Sequence, residues 1–367
     1  MKRISKVVFV LGTRFPTEKA YGTTTEFTAQ AVRNSGFEVV IVTPKKDNSI
    51  PSELTVLALG GPLSLRIFDY IVSKSRKGFF ELFVFLYSIR VILTFRNNSV
   101  CFWTRDIVAA YVLSSIGKYR VVCEIHRTPY GLKMVLLRRL AKRRKVILGP
   151  IGDFLDHKIP HSRNKMIKLP MAVNSADLVK ENHIHSREKI ITYLGSASSS
   201  GNKISFEVLN DLAEWLKNNH REWELELIGI SETEFYSELK CEKSSNIRLF
   251  GRLPREDALR KLRNSACGLV IYPEGSYFRD SFPIKIVEYA ASGVAIVASD
   301  THAHRRILEE SRARFFNLSS AESLFEAIES LILDDEFRFR IATHAREWVS
   351  VMTYESRVRP VLDQLQL

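Results

Sequence analysis

The sequence predicts an α/β fold of two Rossmann-like parallel-sheet domains, and three observations carry that expectation. The chain has 367 residues, about twice a typical domain length. Short runs rich in valine and isoleucine alternate with longer helical stretches, the pattern of parallel strands covered by helices on both faces. The alternation starts near Lys6 and starts again near Lys189, so one unit is built twice.

In the first half a strand over Lys6–Leu11 leads into a polar loop through Thr13, Pro16, Lys19 and Gly22. A helix over about Thr24–Asn34 is ended by Gly36 and followed by a strand over Glu38–Thr43. Further strands fit Thr55–Leu59, Ser99–Trp103, Arg120–Ile125 and Lys145–Leu148, and helices fit Ile67–Ser73, Gly78–Phe95, Ile107–Ile116 and Gly131–Arg144. In the second half a strand over Lys189–Gly195 enters the small-residue loop Ser196–Gly201. Helix Ile204–Asn218, strand Glu222–Ile228, strand Ile247–Phe250 and helix Arg255–Asn264 follow. Strand Gly268–Tyr272, helix Ile284–Ala291 and strand Ala295–Ser299 come next, and a long helix over Asp335–Leu365 is interrupted around Thr353. The expected domains are 1–170 and 186–345, with 346–367 returning as a helix to the first. Open α/β sheets bind ligands at the carboxyl ends of their strands, which for two facing domains is the cleft between them.

Composition narrows the class. Hydrophobic residues make up 45% and charged residues 26%, which excludes disorder as the main state. Cys101, Cys123, Cys241 and Cys267 are too scattered for a disulfide framework or a zinc site, so reduced, mostly buried thiols are expected. The run Val7–Leu11 is too short for a signal peptide, and no stretch reaches the ~18 apolar residues of a membrane span. A cytoplasmic protein, at most peripheral on the inner face of the plasma membrane, is the expectation.

The net charge of +13 is uneven. Residues 1–150 hold 25 Lys/Arg against 9 Asp/Glu, leaving 29 of the 54 basic residues against 32 of the 41 acidic ones in the remainder. Two segments of this basic half stand out. Phe79–Leu93 is almost entirely apolar, and Leu132–Lys145 sets Lys133, Arg138, Arg139, Lys142, Arg143, Arg144 and Lys145 among leucines and valines. Together they suit an anionic membrane surface, while a buried helix beside a solvated basic one is the plainer alternative. No nucleic-acid module or aromatic–basic interleaving is present, so nucleic acid is not an expected partner.

The most informative window runs from Tyr272 to Asp300. A strand ends at Tyr272, a loop carries Asp280, and a helix begins near Phe282, Pro283 and Ile284, where free amides can hold an anion or sugar hydroxyls. Glu288 sits about one turn inside that helix, placed to accept hydrogen bonds from two vicinal hydroxyls, as a ribose presents. Gly293 closes the helix.

Asp280, seven residues, then Glu288-Tyr289-Ala290-Ala291-Ser292-Gly293 and a valine-rich strand resembles family 4 retaining glycosyltransferases. Asp280 stands for the family's usual Glu and Pro283 for its frequent Gly. The likeness extends along nearly the whole chain. Tyr21-Gly22-Thr23 resembles the family's glycine loop, with one glycine instead of two. Val121–Arg127 resembles its strand ending in a histidine, here His126, with Arg127 in place of an Asp. Lys168–Asn174 resembles its linker-side turn, with Ala172 for Gly. Gly195–Lys203 resembles its phosphate loop, but Ser196 replaces the family's Arg. Lys203 is the best match to the family's Lys, and Arg252 and Arg279 are further candidates for the missing charge.

The resemblance implies a GT-B fold and transfer of a sugar from a nucleoside diphosphate sugar to a glycan or lipid-linked acceptor of cell-surface polysaccharide or lipopolysaccharide synthesis. It implies retention of anomeric configuration with no metal and no cofactor. Glu288 would hold the ribose, Asp280 with the amides near Phe282 and Ile284 the donor sugar, and His126 would approach from the first domain. Gly22, Gly195, Lys203, Arg252 and Pro283 would complete the donor site. Ser196 and the single-glycine loop keep open a non-catalytic GT-B binding or assembly protein, and a nucleotide-sugar epimerase is a third reading.

Overall fold

The computed structural model describes residues 4–17, 20–48, 52–60, 77–96, 99–153, 158, 166–180, 187–196, 198–199, 202–203, 206–238, 243–272 and 282–366; for 20, 77–79, 198–199, 202–203 and 238 it describes the backbone alone. Two compact units divide the chain: Met1–Met171 with Tyr354–Leu367, and Ala172–Thr353.

The first unit is built on β1 (Lys6–Val10), α1 (Ala20–Asn34), β2 (Glu38–Thr43), β3 (Thr55–Ala58), α2 (Lys77–Thr94), β4 (Val100–Thr104), α3 (Ile107–Ser115), β5 (Arg120–Ile125), α4 (Leu132–Leu140) and β6 (Val146–Pro150). Its six strands pair in parallel in the order β3-β2-β1-β4-β5-β6. Helices cover both faces, so every residue of β4 and β6 is buried. That double burial is why these strands read as unbroken apolar runs instead of alternating ones. Asp106 starts α3 directly after β4 by accepting hydrogen bonds from the amides of Val108 and Ala109.

The second unit continues with β7 (Glu188–Leu194), β8 (Ser198–Ser199), β9 (Asn202–Lys203), α5 (Phe206–Asn219), β10 (Glu224–Ile228), α6 (Glu232–Glu238), β11 (Ile247–Leu249), α7 (Arg255–Asn264), β12 (Ser265–Val270), α8 (Ile284–Ala291), β13 (Ala295–Ser299), α9 (His302–Arg305), β14 (Ala313–Phe316), α10 (Ala321–Ile332) and α11 (Asp335–Ser350). Its parallel sheet runs β11-β10-β7-β12-β13-β14. In both units the first strand has the second on one side and the fourth on the other. The crossovers therefore leave in opposite directions from the gaps β1/β4 and β7/β12, the points where such sheets bind ligands.

The break expected around Thr353 separates α11 from α12 (Tyr354–Gln366), and α12 packs on α1 within the first unit. Four expectations need correction. Helix α1 begins at Ala20, so Gly22 lies in its first turn and not in a loop. Helix α4 ends at Leu140, because tight turns over Ala141–Lys145 redirect the chain into β6. Strand β12 begins at Ser265, whose hydroxyl meets that of Thr192 at 2.5 Å inside the sheet. The loop Ser196–Gly201 contains part of a short antiparallel ladder in which Ser198 pairs with Lys203 and Ser199 with Asn202. The helix expected over Ile67–Ser73 lies outside the described residues. Cys101, Cys123 and Cys267 are buried free thiols, and Cys241 lies outside the described residues.

Candidate functional site

The site of the second unit is organised by α8, and α8 is fixed by Tyr289. The Tyr289 hydroxyl accepts from the Leu194 amide at 2.8 Å and donates to the Leu269 carbonyl at 3.1 Å, bridging β7 and β12 at the gap between them. Gly268 makes this possible, since a Cβ there would come within 2.7 Å of the Tyr289 ring. The other end of α8 is tied down by Arg187, which donates to the Ser292 carbonyl at 2.8 Å, where a cation favours the helix dipole.

Residues four apart share a helix face, so Lys285 lies over Tyr289 and points at the carboxyl end of β7. Its ammonium donates to the Tyr193 hydroxyl at 3.2 Å and lies 4.6 Å from the Tyr193 ring centroid and 5.4 Å from that of Tyr272. Burial pulls its pKa down to about 8, with Glu288 opposing the shift. Pro283 precedes α8 without offering a side-chain cap; its carbonyl accepts from the Ile286 amide at 3.2 Å, which leaves the amides of Ile284 and Lys285 without a partner from Pro283. Phe282 is half-buried and Pro283 buried beside them.

Glu288 faces another way. Its Oε1 is 3.4 Å from Arg255 Nη2, which also bonds Asp177 Oδ2 at 2.9 Å, and Arg263 reaches Asp177 Oδ1 at 3.4 Å. Burial raises the Glu288 pKa, Arg255 lowers it and Asp177 raises it, with a net rise. A carboxylate set between an arginine and a second acid can bind a pair of hydroxyls without leaving the arginine unpaired.

Three glycines shape the loops that end β7, β10 and β11. Gly195 donates to the Ile228 carbonyl at 2.8 Å, and Gly229 donates to the Gly251 carbonyl at 2.5 Å. A Cβ on Gly229, at φ +97°, would stand 2.8 Å from the Gly195 carbonyl oxygen. The Gly195 amide is therefore committed to the protein. Gly195 instead leaves space, for a Cβ there would collide with the Lys285 ammonium. Arg252 follows Gly251 and is exposed. Lys203 is described by its backbone alone, in β9, and Asp280 and Arg279 lie outside the described residues.

In the first unit His126 follows β5. Its Nε2 is 3.0 Å from Glu124 Oε2, a carboxylate that also receives Arg105 Nε at 3.1 Å and Trp103 Nε1 at 2.7 Å. Burial and the positive charge of Arg105 pull the His126 pKa down to about 4 despite the pull of Glu124. The contact is then a hydrogen bond from a neutral ring, not an ion pair, and it leaves Nδ1 as an acceptor. Arg105 also reaches the Tyr21 carbonyl at 3.5 Å, joining the first turn of α1 to this group. Gly22, next along, packs where any Cβ would run into the Thr17 carbonyl, so close helix–loop packing accounts for it.

The structure thus gathers Gly195, Pro283, Ile284 and Glu288 in one unit and His126 with Gly22's helix in the other. Sequence reasoning missed Lys285, Tyr193, Arg255 and Asp177. The one available signal was a lysine four residues before the tyrosine of an otherwise apolar helix motif. Among the described residues, no helix is long and apolar enough to cross a membrane, and no cluster of three His, Cys, Asp or Glu side chains could hold a metal ion.

Residues 175–348 match the family described as Glycosyl transferases group 1, so the second unit carries a glycosyltransferase domain. No curated protein sequence matches the chain. Solved structures share its fold. A trehalose-6-phosphate structure from E. coli bound with UDP-2-fluoro glucose matches at a TM-score of 0.71 and 12% identity, covering 99% of each chain. Anabaena HepE in complex with UDP and glucose matches at 0.66 and 12%, covering 98% of this chain and 99% of that one. WaaG, a glycosyltransferase involved in lipopolysaccharide biosynthesis, matches at 0.65 and 14%, with the same coverage. The fold is that of GT-B glycosyltransferases.

Proposed function

We propose that the chain is a family 4 retaining glycosyltransferase, moving a sugar from a nucleoside diphosphate sugar to a hydroxyl of a glycan or lipid-linked acceptor in cell-surface polysaccharide synthesis. The observation that carries this reading is the placing of Glu288, a largely buried carboxylate on α8 beside Arg255 and one helical turn from the start of that helix. A nucleoside diphosphate sugar needs that set: an acid for the ribose hydroxyls, and amides and a cation for the leaving diphosphate. UDP complexes of HepE, a neighbour of the same fold, support a nucleotide as the donor's handle.

The bond from the anomeric carbon to the phosphate oxygen breaks as the acceptor oxygen bonds that carbon on the same face. The acceptor proton passes to the departing phosphate oxygen, so no side chain has to act as a strong base. Asp280 and the amides near Phe282 and Ile284 take donor-sugar hydroxyls, and His126 accepts a hydrogen bond from a substrate hydroxyl through Nδ1. No resident metal or cofactor is part of this reaction.

The acceptor is lipid-linked in this reading because of one surface of the first unit. Lys133 lies 3.3 Å from Glu81, joining the first turns of α4 and α2. Around that link Leu82, Phe85, Leu86, Leu132 and Val135 are exposed, beside the exposed Arg138, Lys142 and Arg144. Anionic lipid is a natural counterpart for such a surface.

The test is a melting-temperature panel of nucleoside diphosphates and their sugars, without metal and then with magnesium. One base should raise the melting temperature without metal, and its sugar should be turned over. No shift with any nucleotide, in a folded protein, would overturn the reading.

A further inference from the structure

We infer that Lys285 is the cation that grips the donor's diphosphate, replacing the arginine that family 4 enzymes carry where this chain has Ser196. The inference rests on the donor reading above and deepens it. Lys285 stands at the topological switch point, with its side chain over Tyr193 of β7 and Tyr272, two residues past β12. It occupies the space that Gly195 leaves by having no side chain. Tyr193 ties it to the same loop, since its hydroxyl donates to the Ser196 carbonyl at 3.3 Å.

The ammonium is paid little for its burial. Among the described residues no carboxylate lies within ion-pair distance of Lys285, and Glu288 bonds Arg255 instead. Two aromatic faces and one phenol hydroxyl replace only part of its hydration. It also sits in the first turn of α8, at the positive end of that helix, which opposes a cation and favours an anion. A diphosphate at the Gly195 loop would supply a counter-charge that none of the described residues supplies, and the first amides of α8 would share it. A lysine four residues before Tyr289 can therefore do from a helix what an arginine after the glycine does from the loop. Ser196 need not signal a lost site.

The test compares wild type with Lys285→Met and Lys285→Arg by titration calorimetry. The probes are UDP, GDP and ADP, the matching nucleosides, and inorganic pyrophosphate. Lys285→Met should keep or raise the melting temperature of the free protein, because it removes a half-buried charge. It should weaken the bound nucleoside diphosphate roughly 10- to 100-fold, leave the nucleoside within about 2-fold, and abolish any pyrophosphate binding. Lys285→Arg should restore part of the loss. Diphosphate binding undiminished in Lys285→Met overturns the role of Lys285 while leaving the donor reading intact. Equal weakening of nucleoside and diphosphate overturns it too, as a distorted pocket. Failure of wild type to bind any of the nucleotides removes both readings together.

Discussion

Arg357 Nη2 lies 3.1 Å from Glu124 Oε2, and both side chains are sealed from water, at 1% and 2% exposure. The pair joins α12 to the end of β5 across more than half the sequence. Each partner is saturated. Arg357 also donates to Thr28 Oγ1 at 3.0 Å, the Pro170 carbonyl at 2.7 Å and the Leu169 carbonyl at 3.4 Å. Glu124 also takes Trp103, Arg105 and His126. A buried ion pair stabilises only when its remaining donors and acceptors are met, and here they are.

Removing one partner should therefore unfold the first unit before the second. Arg357→Met leaves the buried Glu124 carboxylate with Arg105 but without its second arginine, and should cost up to about 3–5 kcal/mol. Burial alone would raise the Glu124 pKa, but Arg357, Arg105 and His126 outweigh it and hold it well below the ordinary value of 4.5. With a depressed folded pKa, its stabilisation is complete above 4.5 and is lost as pH falls through the folded value. Urea denaturation of wild type and Arg357→Met at pH 7 and at pH 3 measures this. The gap between the two proteins should narrow at pH 3, and an unchanged gap would remove the charge from the account.

His126 gives a second pH signature, at higher pH. Its pKa falls from 6.5 to about 4 on folding. Between those values the unfolded chain binds a proton that the folded one does not, so stability drops as pH falls through that window. The slope is at most about 1.4 kcal/mol per pH unit. His126→Gln should flatten it while leaving the neutral-pH fold intact, and should abolish transfer if Nδ1 accepts from substrate. Near-normal turnover by His126→Gln, or by His126→Ala, would end its site assignment.

Much of the fold was legible because parallel strands between helix layers are local patterns. Glu38–Thr43, Arg120–Ile125, Arg255–Asn264, Ile284–Ala291 and Ala295–Ser299 have the bounds the sequence predicts. The start of α1 was hidden because Gly22 reads as a turn residue, and only the approach of Thr17 explains it in a helix. Strand β12 was cut short because Ser265 and Ala266 lack strand character, and the Thr192 hydroxyl that satisfies Ser265 is 73 residues away. Within the candidate site, the place of Glu288 on α8 was legible from its spacing. Lys285 was not, because periodicity gives its face but not the glycine space it enters, and no local pattern joins Glu124 to Arg357.

Glu288→Ala should leave the fold standing, since Arg255 keeps Asp177 at 2.9 Å. It should weaken the preferred nucleoside diphosphate, by roughly 10- to 100-fold if two hydroxyl bonds to a charged carboxylate are lost. Wild type should discriminate against the 2′,3′-dideoxy nucleotide, and Glu288→Ala should bind both forms alike. Retained discrimination in the variant would place the ribose elsewhere.

Membrane docking makes a separate prediction, independent of the donor site. Leu132 is 64% exposed and Leu82 53%, both beside a basic segment, α4 and the turns after it, whose Arg138, Lys142 and Arg144 face solvent. Each basic residue near an anionic leaflet adds about 1 kcal/mol, screened by salt. Sedimentation with vesicles containing an anionic lipid should capture the protein at low salt, and neutral vesicles should not. Arg138→Glu with Lys142→Glu should abolish capture. Phe85→Ser with Leu132→Ser should weaken it roughly tenfold or more, as expected for losing two inserted apolar side chains. Neither pair touches Glu288, so turnover of a water-soluble acceptor analogue should persist in both. Equal capture by neutral and anionic vesicles would leave the basic residues without a role, and capture untouched by the serine pair would mean the apolar residues stay in water.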